Sequence, residues 1–409
     1  MIQVAIMGHG VVGSGVAEIL LTHKNSLKKK VHNDISIKKI LDLREFPGLS
    51  YSDKFTKDFN DIVNDEEIKV VAEVMGGVNP AFDFVKRCLE AGKSVVTSNK
   101  ELVAKKGAEL LAIAKEKNVS FLFEASVGGG IPIIRPLNNC LVANEVDEIA
   151  GILNGTTNFI LTKMITESMS FKDALSLAQQ LGYAERDPSA DVEGHDACRK
   201  ICILASLAFG KHVYPDNIHT EGITNISLED VEYANNWGGV IKLIGDVKHM
   251  PDNMLDIFVA PMLINNESQL SGIDDVFNGI LVRGDATGDV VFYGKGAGKL
   301  PTASAVVADI VDCIKNMSTG KYLFWEDCDG SNVMPYEESV SAMYVRATGD
   351  IKSAEKVFGE ISKLTRKKAP DNEIAFTTDE MSVKKFNAKL SELEKSGVKV
   401  INTIRIGDL

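Results

Sequence analysis

The chain lacks the cysteine and histidine patterns that hold structural metals or a disulfide framework. Its six cysteines are dispersed along 409 residues, at Cys88, Cys140, Cys198, Cys202, Cys313 and Cys328, and none forms a C-x-x-C pair. The seven histidines show no metal-ligand spacing either. We therefore expect six reduced thiols, in a protein of the cytoplasm.

An excess of positive charge and a long apolar run are also absent. The formal net charge is −12, which argues against nucleic acids or anionic membranes as partners. No uninterrupted apolar segment is long enough to span a bilayer, and the residues after Met1 lack the basic region and cleavage site of a secretory signal. With 44% hydrophobic and 25% charged residues, the composition is that of a soluble globular protein of two or three domains.

A glycine-rich turn follows the first apolar run. Residues 2–7 predict a short buried strand, and residues 14–21 predict a helix. Between them stands Gly8-His9-Gly10-Val11-Val12-Gly13, a G-x-G-x-x-G pattern. In such a turn the first glycine permits the bend, the second lets a pyrophosphate approach the backbone, and the third lets the helix lie close to the strand. The context favours a dinucleotide site over a purely structural glycine turn.

The second strand, predicted at 35–41, ends at Asp42. An acid at this place accepts hydrogen bonds from the adenosine ribose and repels a 2′-phosphate. Arg44 follows closely and could instead pair with a 2′-phosphate. The sequence therefore predicts NAD, or both NAD and NADP, as cofactor. The basic segment at 28–34 is interpreted as an insertion that lengthens the gap between the glycines and Asp42.

The next segments complete a doubly wound parallel sheet. Strands are predicted at 69–75, 94–97 and 119–124, and helices at 80–91 and 104–117. Ser98 and Lys100 directly follow one of these strands, at the carboxyl edge where ligands bind in parallel sheets. Lys100 is either placed to meet cofactor or substrate, or is a solvated lysine at a helix start.

An unusual glycine turn ends this region. Glu124-Ala-Ser-Val127-Gly-Gly129-Gly-Ile131-Pro132 offers one carboxylate and a backbone able to turn its carbonyls inward. Oxygen ligands of this kind suit a hard cation. The alternative is a flexible crossover into the next domain, with a helix following at 132–141.

Residues 151–158 place a polar core, Asn154-Gly155-Thr156-Thr157-Asn158, between apolar flanks. The segment is either a substrate-facing loop or a capped helix start. In the second case Thr156 or Thr157 caps a helix that runs to residue 164.

The densest group of charges lies at 182–200, where five carboxylates, one His, two Arg and one Lys fall within nineteen residues. Asp191 is a candidate N-cap for one helix running to Phe209. Asp196 and Lys200 would then be i,i+4 neighbours on one face. The alternative is an ordinary solvated helix start, acidic because the helix dipole favours carboxylates there.

Taken together, these segments resemble the homoserine dehydrogenase family over about residues 1–320. The resemblance rests on the Gly8–Gly13 turn and on segments 98–100, 124–132, 151–158, 182–200 and 294–305, in the same order. The segments at 124–132, 151–158 and 182–200 are long and particular to that family. The resemblance implies reversible NAD(P)-dependent reduction of L-aspartate 4-semialdehyde to L-homoserine, in threonine and methionine biosynthesis.

The resemblance also implies roles at the substrate. Lys200 is the expected proton donor and acceptor at the carbonyl oxygen, and Lys100 is expected between nicotinamide and substrate. The expected substrate-binding residues are Gly182, Glu185, Asp191 and Asp196, with Glu185 and Asp196 holding the amino group. Paired acids recognise an α-ammonium through charge-assisted hydrogen bonds, so the carboxylates suit this substrate.

At the cofactor, the resemblance adds Gly296 to the residues already named. It further implies a monovalent cation, Na⁺ or K⁺, held by Glu124 and by the carbonyls of Val127, Gly129 and Ile131. A homodimer or homotetramer is expected, with the contact made by the sheet of the middle domain.

The expected fold class is α/β, with three parts. The first is a Rossmann-type domain at 1–131, joined by a return helix at about 296–318. The second is an α+β substrate and dimerisation domain at 132–295, with strands at 145–153, 240–247, 255–261 and 290–293 and a helix at 226–235 capped by Ser227. Residues 316–335 are expected to be a polar linker.

The third part, at 336–409, is a small α+β module similar to an ACT domain. Strands are predicted at 339–347, 373–378 and 398–406, and helices at 352–367 and 382–395. ACT domains usually carry an Asp-x-Pro-Gly turn for amino-acid ligands, but this chain has Thr348-Gly349-Asp350 without the proline. The module is therefore either a sensor for an amino-acid effector such as threonine or an element of association only.

Overall fold

The computed structural model describes residues 1–251, 253–319 and 323–409. The chain forms two compact units, each built from three segments. The first unit comprises Met1–Glu145, Cys202–Pro215 and Gly294–Gly330. The second comprises Val146–Ile201, Asp216–Tyr293 and Ser331–Leu409. The boundaries of the three domains expected from the sequence stay a prediction.

In chain order the strands are β1 Ile2–Met7, β2 Ile35–Leu41, β3 Phe55–Thr56, β4 Ile68–Glu73, β5 Ser94–Thr97, β6 Phe121–Leu122, β7 Val146–Ile152, β8 His219–Thr220, β9 Gly239–His249, β10 Leu255–Asn265, β11 Phe277–Gly284, β12 Gly288–Lys295, β13 Val340–Ser341, β14 Met343–Thr348, β15 Ile361–Leu364, β16 Glu373–Thr378, β17 Met381–Ser382 and β18 Lys399–Gly407. The edge strands of the first unit, β3 and β6, have two residues each, and the longest strands, β9 and β10, lie in the second unit.

The helices are α1 Val11–Thr22, α2 Lys24–Val31, α3 Asn60–Val63, α4 Ala81–Glu90, α5 Lys100–Glu116, α6 Gly155–Glu167, α7 Phe171–Gln180, α8 Ser189–Val192, α9 His195–Phe209, α10 Leu228–Trp237, α11 Lys299–Lys315, α12 Ile351–Phe358 and α13 Val383–Lys395. Among the helices described, none combines the length and the apolar character needed to cross a membrane.

The sheet of the first unit has the order β3-β2-β1-β4-β5-β6, with every pair parallel. This is the strand order of a dinucleotide-binding, doubly wound sheet, so the predicted fold class is confirmed. The strands are apolar and β-branched because both faces are covered, and residues such as Val4, Ile6 and Val70 are fully buried. Of the basic segment at 28–34 that was interpreted as an insertion, residues 28–31 form the last turn of α2 and the rest leads into β2.

The second unit is built on one mixed sheet with the order β12-β11-β7-β9-β10-β18-β14-β16-β15, to which β8 adds by pairing with β10. Its longest pairing is antiparallel, between β9 and β10, and runs from Leu255–His249 to Asn265–Gly239. The pairing of β10 with β18 is parallel. The C-terminal residues are therefore continuous with the sheet of the middle segment.

The C-terminal residues by themselves form β14-α12-β15-β16-α13-β18, with the spatial order β18-β14-β16-β15 and antiparallel pairs. This is the βαββαβ arrangement of ferredoxin-like folds. The core of the module is apolar and includes Val345, Phe376 and Leu393. The sequence predicted one helix at 352–367. That prediction is wrong beyond Phe358, because Gly359 adopts φ +87° and the chain turns into β15.

Three other local predictions are corrected by the structure. The strand expected at 119–124 is only two residues long and passes into a 3₁₀ turn. The helix expected at 132–141 is a π-helical turn at Pro136–Cys140. The helix expected from Asp191 to Phe209 is broken: Asp191 lies inside α8, Gly194 takes φ +86°, and α9 begins at His195.

The polar linker expected at 316–335 contains a buried anchor within the first unit. Trp325 is 1% exposed, and its indole Nε1 donates to His212 Nδ1 at 2.8 Å. The indole also packs at the site of Gly107, where an added Cβ would lie 2.5 Å from the ring. The described part of this segment is thus anchored by a buried aromatic side chain and by main-chain hydrogen bonds of Glu326 with Gly210 and His212, rather than being solvated throughout.

A buried ionic network ties α10 to the C-terminal strands inside the second unit. Ser227 caps α10 and forms the predicted capping box with Asp230. The Asp230 carboxylate, 1% exposed, also accepts from Tyr344 Oη at 3.0 Å and from Asn402 Nδ2 at 2.9 Å, and it forms an ion pair with Arg346, whose Nε lies 2.8 Å away. One aspartate therefore satisfies donors from a helix cap and from two strands.

We expect Asp230→Ala to destabilise the second unit by about 3–5 kcal/mol, because it leaves the buried Arg346 guanidinium without its nearest counter-charge. Urea unfolding followed by Trp237 fluorescence in a Trp325→Phe background measures the loss. Glu229→Ala is the matched control, since Glu229 lies 3.9 Å from the same guanidinium but is 43% exposed, and we expect it to cost less than about 1 kcal/mol. Equal losses in both variants would contradict the network.

Candidate active site

The glycine turn of the first unit has the geometry required to receive a phosphate. Gly8 adopts φ +99° at the end of β1, and a Cβ on Gly13 would lie 1.9 Å from the Gly8 carbonyl oxygen. A Cβ on Gly10 would meet no atom within 4 Å. The N–H groups of the first turn of α1, from Val11 and Val12 onward, begin directly after this open position and suit an anion.

A cavity of about 530 Å³ adjoins the turn in the first unit. Gly8, Gly10 and Asp42 line one side, Arg44 and Lys57 bring positive charge, and the remaining wall is largely apolar. The other lining residues are Leu41, Leu43, Phe59, Val74, Met75, Pro80 and Phe84. Apolar walls with a few polar groups are typical of nucleoside pockets.

Asp42 and Arg44 are paired with each other. The Asp42 Oδ1 accepts from the Arg44 main-chain N and Nε, both at 3.0 Å. Its Oδ2 accepts from the His9 N at 2.8 Å and from Arg44 Nη2 at 2.9 Å. The Arg44 guanidinium holds the pKa of the Asp42 carboxyl well below its usual range. The carboxylate predicted to accept from a ribose thus already accepts four hydrogen bonds.

Lys100 is the first residue of α5, at the carboxyl edge of the parallel sheet and half-buried. Ser98 and Asn99 connect it to β5. Asn99 Oδ1 caps the helix by accepting from Leu102 N at 3.1 Å, and Asn99 Nδ2 donates to the Gly77 carbonyl at 2.6 Å. The helix therefore starts four residues earlier than predicted because Asn99, not a later residue, caps it.

Glu73 is a buried acid of this edge that the sequence reasoning missed. It ends β4, is fully buried, and accepts from Thr97 Oγ1 at 2.6 Å and from Met75 N at 2.8 Å. Burial raises the pKa of its carboxyl, against these hydrogen bonds. Its position after the apolar run of β4 was the available signal.

The Glu124 carboxylate holds the glycine turn after β6 by accepting hydrogen bonds from the main chain that follows the turn. Glu124 Oε1 accepts from Ile133 N at 2.6 Å and from Ile134 N at 2.9 Å. Its Oε2 accepts from Arg135 N at 2.9 Å and lies 3.1 Å from Arg135 Nε. Three of the roughly four acceptor positions of this carboxylate are thus used by the main chain, and its role as a cation ligand stays a prediction.

The carbonyls of Val127, Gly129 and Ile131, predicted as the other cation ligands, belong to the same turn and likewise stay a prediction. Gly129 takes φ +56°, and a Cβ there would lie 2.3 Å from the Gly296 carbonyl oxygen. The turn thus meets the Gly296 segment backbone against backbone. Among the residues described, no group of three His, Cys, Asp or Glu side chains is placed to hold a metal ion.

Asp309 of α11 completes the charge cluster around Glu124. Its Oδ2 accepts from Glu124 N at 2.8 Å, and its Oδ1 pairs with Arg135 Nη2 at 2.9 Å. Burial raises the pKa of Asp309 to about 7, opposed by the Arg135 guanidinium and helped by the Glu124 carboxylate. Sequence reasoning missed both Arg135 and Asp309, since they are 174 residues apart.

We expect Asp309→Asn to flatten the dependence of stability on pH. The folded-state pKa of Asp309 is raised above the unfolded value, so its contribution is present below pH about 4 and is lost as the pH rises through about 7. Asn cannot ionise and removes this loss. Melting temperatures at about pH 5.5 and pH 8.5 check it, with the exposed Asp83→Asn as control. An unchanged pH dependence in Asp309→Asn would contradict the assignment.

The acidic stretch of the second unit brings three predicted residues together. Lys200 Nζ donates to the Leu153 carbonyl at 2.7 Å and lies 2.9 Å from Asp196 Oδ2, one helical turn away on α9. Asp196 and Lys200 are 4% and 6% exposed. Asn154 Nδ2 donates to Asp196 Oδ2 at 2.9 Å and to Asp191 Oδ1 at 2.7 Å. A buried ammonium and two carboxylates thus share one site.

Gly182 and Glu185 lie on the exposed segment before α8. The Glu185 carbonyl accepts from Gln179 Nε2 at 3.0 Å, while its side chain is on the surface. Thr156 Oγ1 donates to the Tyr183 carbonyl at 2.7 Å and so fixes this segment to the first turn of α6. Glu185 is close to Asp191 and Asp196 in the sequence. Its carboxylate takes no part in the hydrogen bonds described for Asp196.

The sequence predicted Thr156 or Thr157 as the cap of α6, but the cap is Asn154. Its Oδ1 accepts from Thr157 N at 2.9 Å and from Thr157 Oγ1 at 3.1 Å. The residue stood inside the polar core already singled out at 151–158, yet no role was given to it. The signal was its position: Asn is a preferred N-cap, and it directly follows the apolar end of β7.

The sequence and the structure are similar to known dehydrogenases. A sequence model described as homoserine dehydrogenase matches residues 132–311, and one described as its NAD binding domain matches residues 8–124. The homoserine dehydrogenase of Bacillus subtilis (strain 168) is 42% identical over 322 residues, which are 78% of this chain and 74% of that protein.

Two solved structures extend the similarity to the fold. A homoserine dehydrogenase from Thiobacillus denitrificans has a TM-score of 0.92 and 36% identity, over 100% of this chain and 98% of that one. A hyperthermophilic archaeal homoserine dehydrogenase in complex with NADPH has a TM-score of 0.67 and 28% identity, over 79% of this chain and 99% of that one.

Strand order, glycine turn and these matches define an NAD(P)-dependent oxidoreductase with a Rossmann-type domain. More narrowly, the chain belongs to the homoserine dehydrogenase family. The predicted family is therefore confirmed. The roles of the individual residues are not tested by these matches.

Proposed function

We propose that Lys200 moves the proton when this family member interconverts L-aspartate 4-semialdehyde and L-homoserine. The observation that supports it is the buried ammonium of Lys200, held between the Leu153 carbonyl and Asp196 Oδ2. Two acceptors fix the position of the Nζ atom and the direction of its N–H bonds, and burial excludes competing water. A positioned acid of this kind is what a developing alkoxide requires.

The reaction needs a hydride and a proton. The reduced nicotinamide, when bound, supplies the hydride to the aldehyde carbon. As the carbonyl electron pair moves to oxygen, Lys200 Nζ–H donates its proton there and becomes a neutral amine. In the reverse direction the amine accepts the hydroxyl proton of homoserine. Lys100 is proposed to act at the substrate and nicotinamide, as the family resemblance implies.

The substrate ammonium is proposed to bind Glu185 and Asp196, with Asp191 and the Gly182 backbone beside them. Asp196 and Asp191 are joined by one amide, so both carboxylates lie at the same place. Their negative charge suits an α-ammonium. The exposed position of Glu185 lets it reach a substrate that arrives from solvent.

We expect Lys200→Ala to lower kcat by about 10²–10⁴-fold, the usual contribution of a positioned general acid. Cofactor oxidation with aspartate semialdehyde measures the rate, and titration with NADPH confirms that the cofactor still binds. Arg199→Ala, a neighbouring cation on α9 that is partly exposed, serves as control and should keep its rate. Near-normal turnover of Lys200→Ala with intact cofactor binding would remove Lys200 from the mechanism.

For the cofactor we propose dual use of NADH and NADPH, with Arg44 as the residue that meets the 2′-phosphate. The Asp42 carboxylate is neutralised by Arg44 and already accepts four hydrogen bonds, which weakens its repulsion of a phosphate. The Arg44 side chain is 62% exposed, and Lys57 lines the same cavity. The related archaeal enzyme was solved with NADPH.

We expect Arg44→Ala to raise the KM for NADPH about tenfold or more, since a hydrogen bond to a charged group is worth about 1.5–3 kcal/mol. The KM for NADH should change little, because the released Asp42 carboxylate favours a 2′-hydroxyl. Steady-state kinetics with both cofactors measure the ratio, and the exposed Lys29→Ala is the control. An equal rise for NADH and NADPH would show that Arg44 only shapes the pocket.

We also propose that the C-terminal module is ACT-like. Its βαββαβ topology supports this. The Asp350 carboxylate of the divergent turn caps α12 by accepting from Lys352 N at 3.1 Å, which commits this acid to a structural bond. The monovalent cation is proposed to bind at Glu124 and at the main-chain carbonyls of Val127, Gly129 and Ile131, and no step of the reaction is assigned to it.

A further inference from the structure

We propose that Asn154 is a positioning residue for the reaction, and that its side-chain amide holds Asp191 and Asp196 together and thereby directs Lys200. The proposal rests on the function proposed for Lys200 and Asp196. This role requires no contact of Asn154 with the cofactor or with the reacting carbonyl. It acts through the two carboxylates and through the ammonium that one of them holds.

The four hydrogen-bonding positions of the amide are all used. Both Nδ2 protons are donated, one to Asp191 Oδ1 at 2.7 Å and one to Asp196 Oδ2 at 2.9 Å. Oδ1 accepts from the N and Oγ1 of Thr157. The orientation of the amide follows from its partners, since a flipped amide would place its carbonyl against two carboxylates. No other neutral side chain supplies two donors and a cap acceptor at this length.

Asp196 Oδ2 connects the Asn154 amide to Lys200, the proposed proton donor. The same oxygen accepts from Asn154 and pairs with Lys200, each at 2.9 Å. Lys200 is held on its other side by the carbonyl of Leu153, the residue directly before Asn154. Two consecutive residues at the end of β7 thus determine where the ammonium and its carboxylate lie on α9.

The amide also counters the repulsion between the two acids. Asp191 lies in α8 and Asp196 in the first turn of α9, and the sharp bend at Gly194 brings them to one amide. Two carboxylates in a partly buried site repel each other unless a donor lies between them. The arrangement keeps a doubly acidic surface ready for the substrate ammonium before the substrate binds.

Asn154→Asp tests the proposal without removing the helix cap, because Asp is as good an N-cap as Asn. It loses both donors and adds a third carboxylate. We expect kcat/KM for aspartate semialdehyde to fall about 100-fold, the size of the effect of a small misplacement of a catalytic group. The KM for NADPH should stay within about twofold of the wild type, because its site lies in the first unit.

Asn154→Ser keeps a cap acceptor and adds no charge, and it covers the case in which the aspartate variant fails to fold. Its kcat/KM should fall about tenfold at a melting temperature close to that of the wild type. Ser382→Asp, which exchanges the cap of α13, is the control for a cap change alone and should keep full activity. Ser382 takes no part in the proposed catalytic or binding machinery.

The outcomes separate the two proposals. If both Asn154 variants keep kcat/KM within about threefold of the wild type while Lys200→Ala is inactive, Asn154 is not a positioning residue but the proposed function stands. If Lys200→Ala keeps near-normal turnover, the proposed role of Lys200 fails, and the positioning role of Asn154, which rests on it, fails with it. If the Asn154 variants lose melting temperature and bind NADPH and aspartate semialdehyde equally poorly, the role of Asn154 is purely structural and the proposal is overturned.

Discussion

The ion pair between Asp196 and Lys200 is the interaction on which the polar site of the second unit depends. Removing two charges from water costs several kcal/mol per ion unless hydrogen bonds replace the lost hydration. Here the replacement comes from the Leu153 carbonyl and the Asn154 amide. The pair itself is local, because its two residues lie one turn apart on α9. Its supporting hydrogen bonds are not local, since they come from the segment between β7 and α6 and require that segment to pack against α9.

In the first unit, the turns of the candidate site are shaped by close contacts between main-chain segments. The Gly13 backbone lies against the Gly8 carbonyl, and the Gly129 backbone lies against that of Gly296. Buried side chains stabilise the segment around the second of these turns. Glu124 accepts the N–H groups of three consecutive residues, and Asp309 accepts that of Glu124. Buried acids thus act here as acceptors for the backbone, and the guanidinium of Arg135 pairs with both of them.

Sequence reasoning succeeded where a local pattern decides the structure. The strands at 35–41, 94–97 and 373–378 were predicted with the observed ends, because their short length and their β-branched and aromatic residues favour a strand over a helix. The capping box of Ser227 and Asp230 is equally local. The helix predicted at 352–367 failed because the apolar spacing continued past Gly359, and only the pairing of β15 with β16 decides for a strand.

The candidate site was predicted in part for the same reason. Asp196 and Lys200 share a helix face, and their spacing shows it. Asp42 favours NAD and Arg44 favours NADP, and their spacing in the sequence does not decide between the two cofactors. Asn154 bonds to residues 37 and 42 positions away, and Arg135 bonds to Asp309 across the first unit. Such partners are set by packing, so no window of the sequence contains them.

The position of β18 determines the order in which the second unit can be completed. This strand lies between β10 and β14, and it pairs parallel to the first and antiparallel to the second. It is nevertheless made after every other strand of the sheet. When synthesis has reached β16, both halves of the sheet are therefore present without the strand that joins them. The edge of β10 at 262–264 and the facing edge of β14 gain their partner strand only once residues 399–407 have been added.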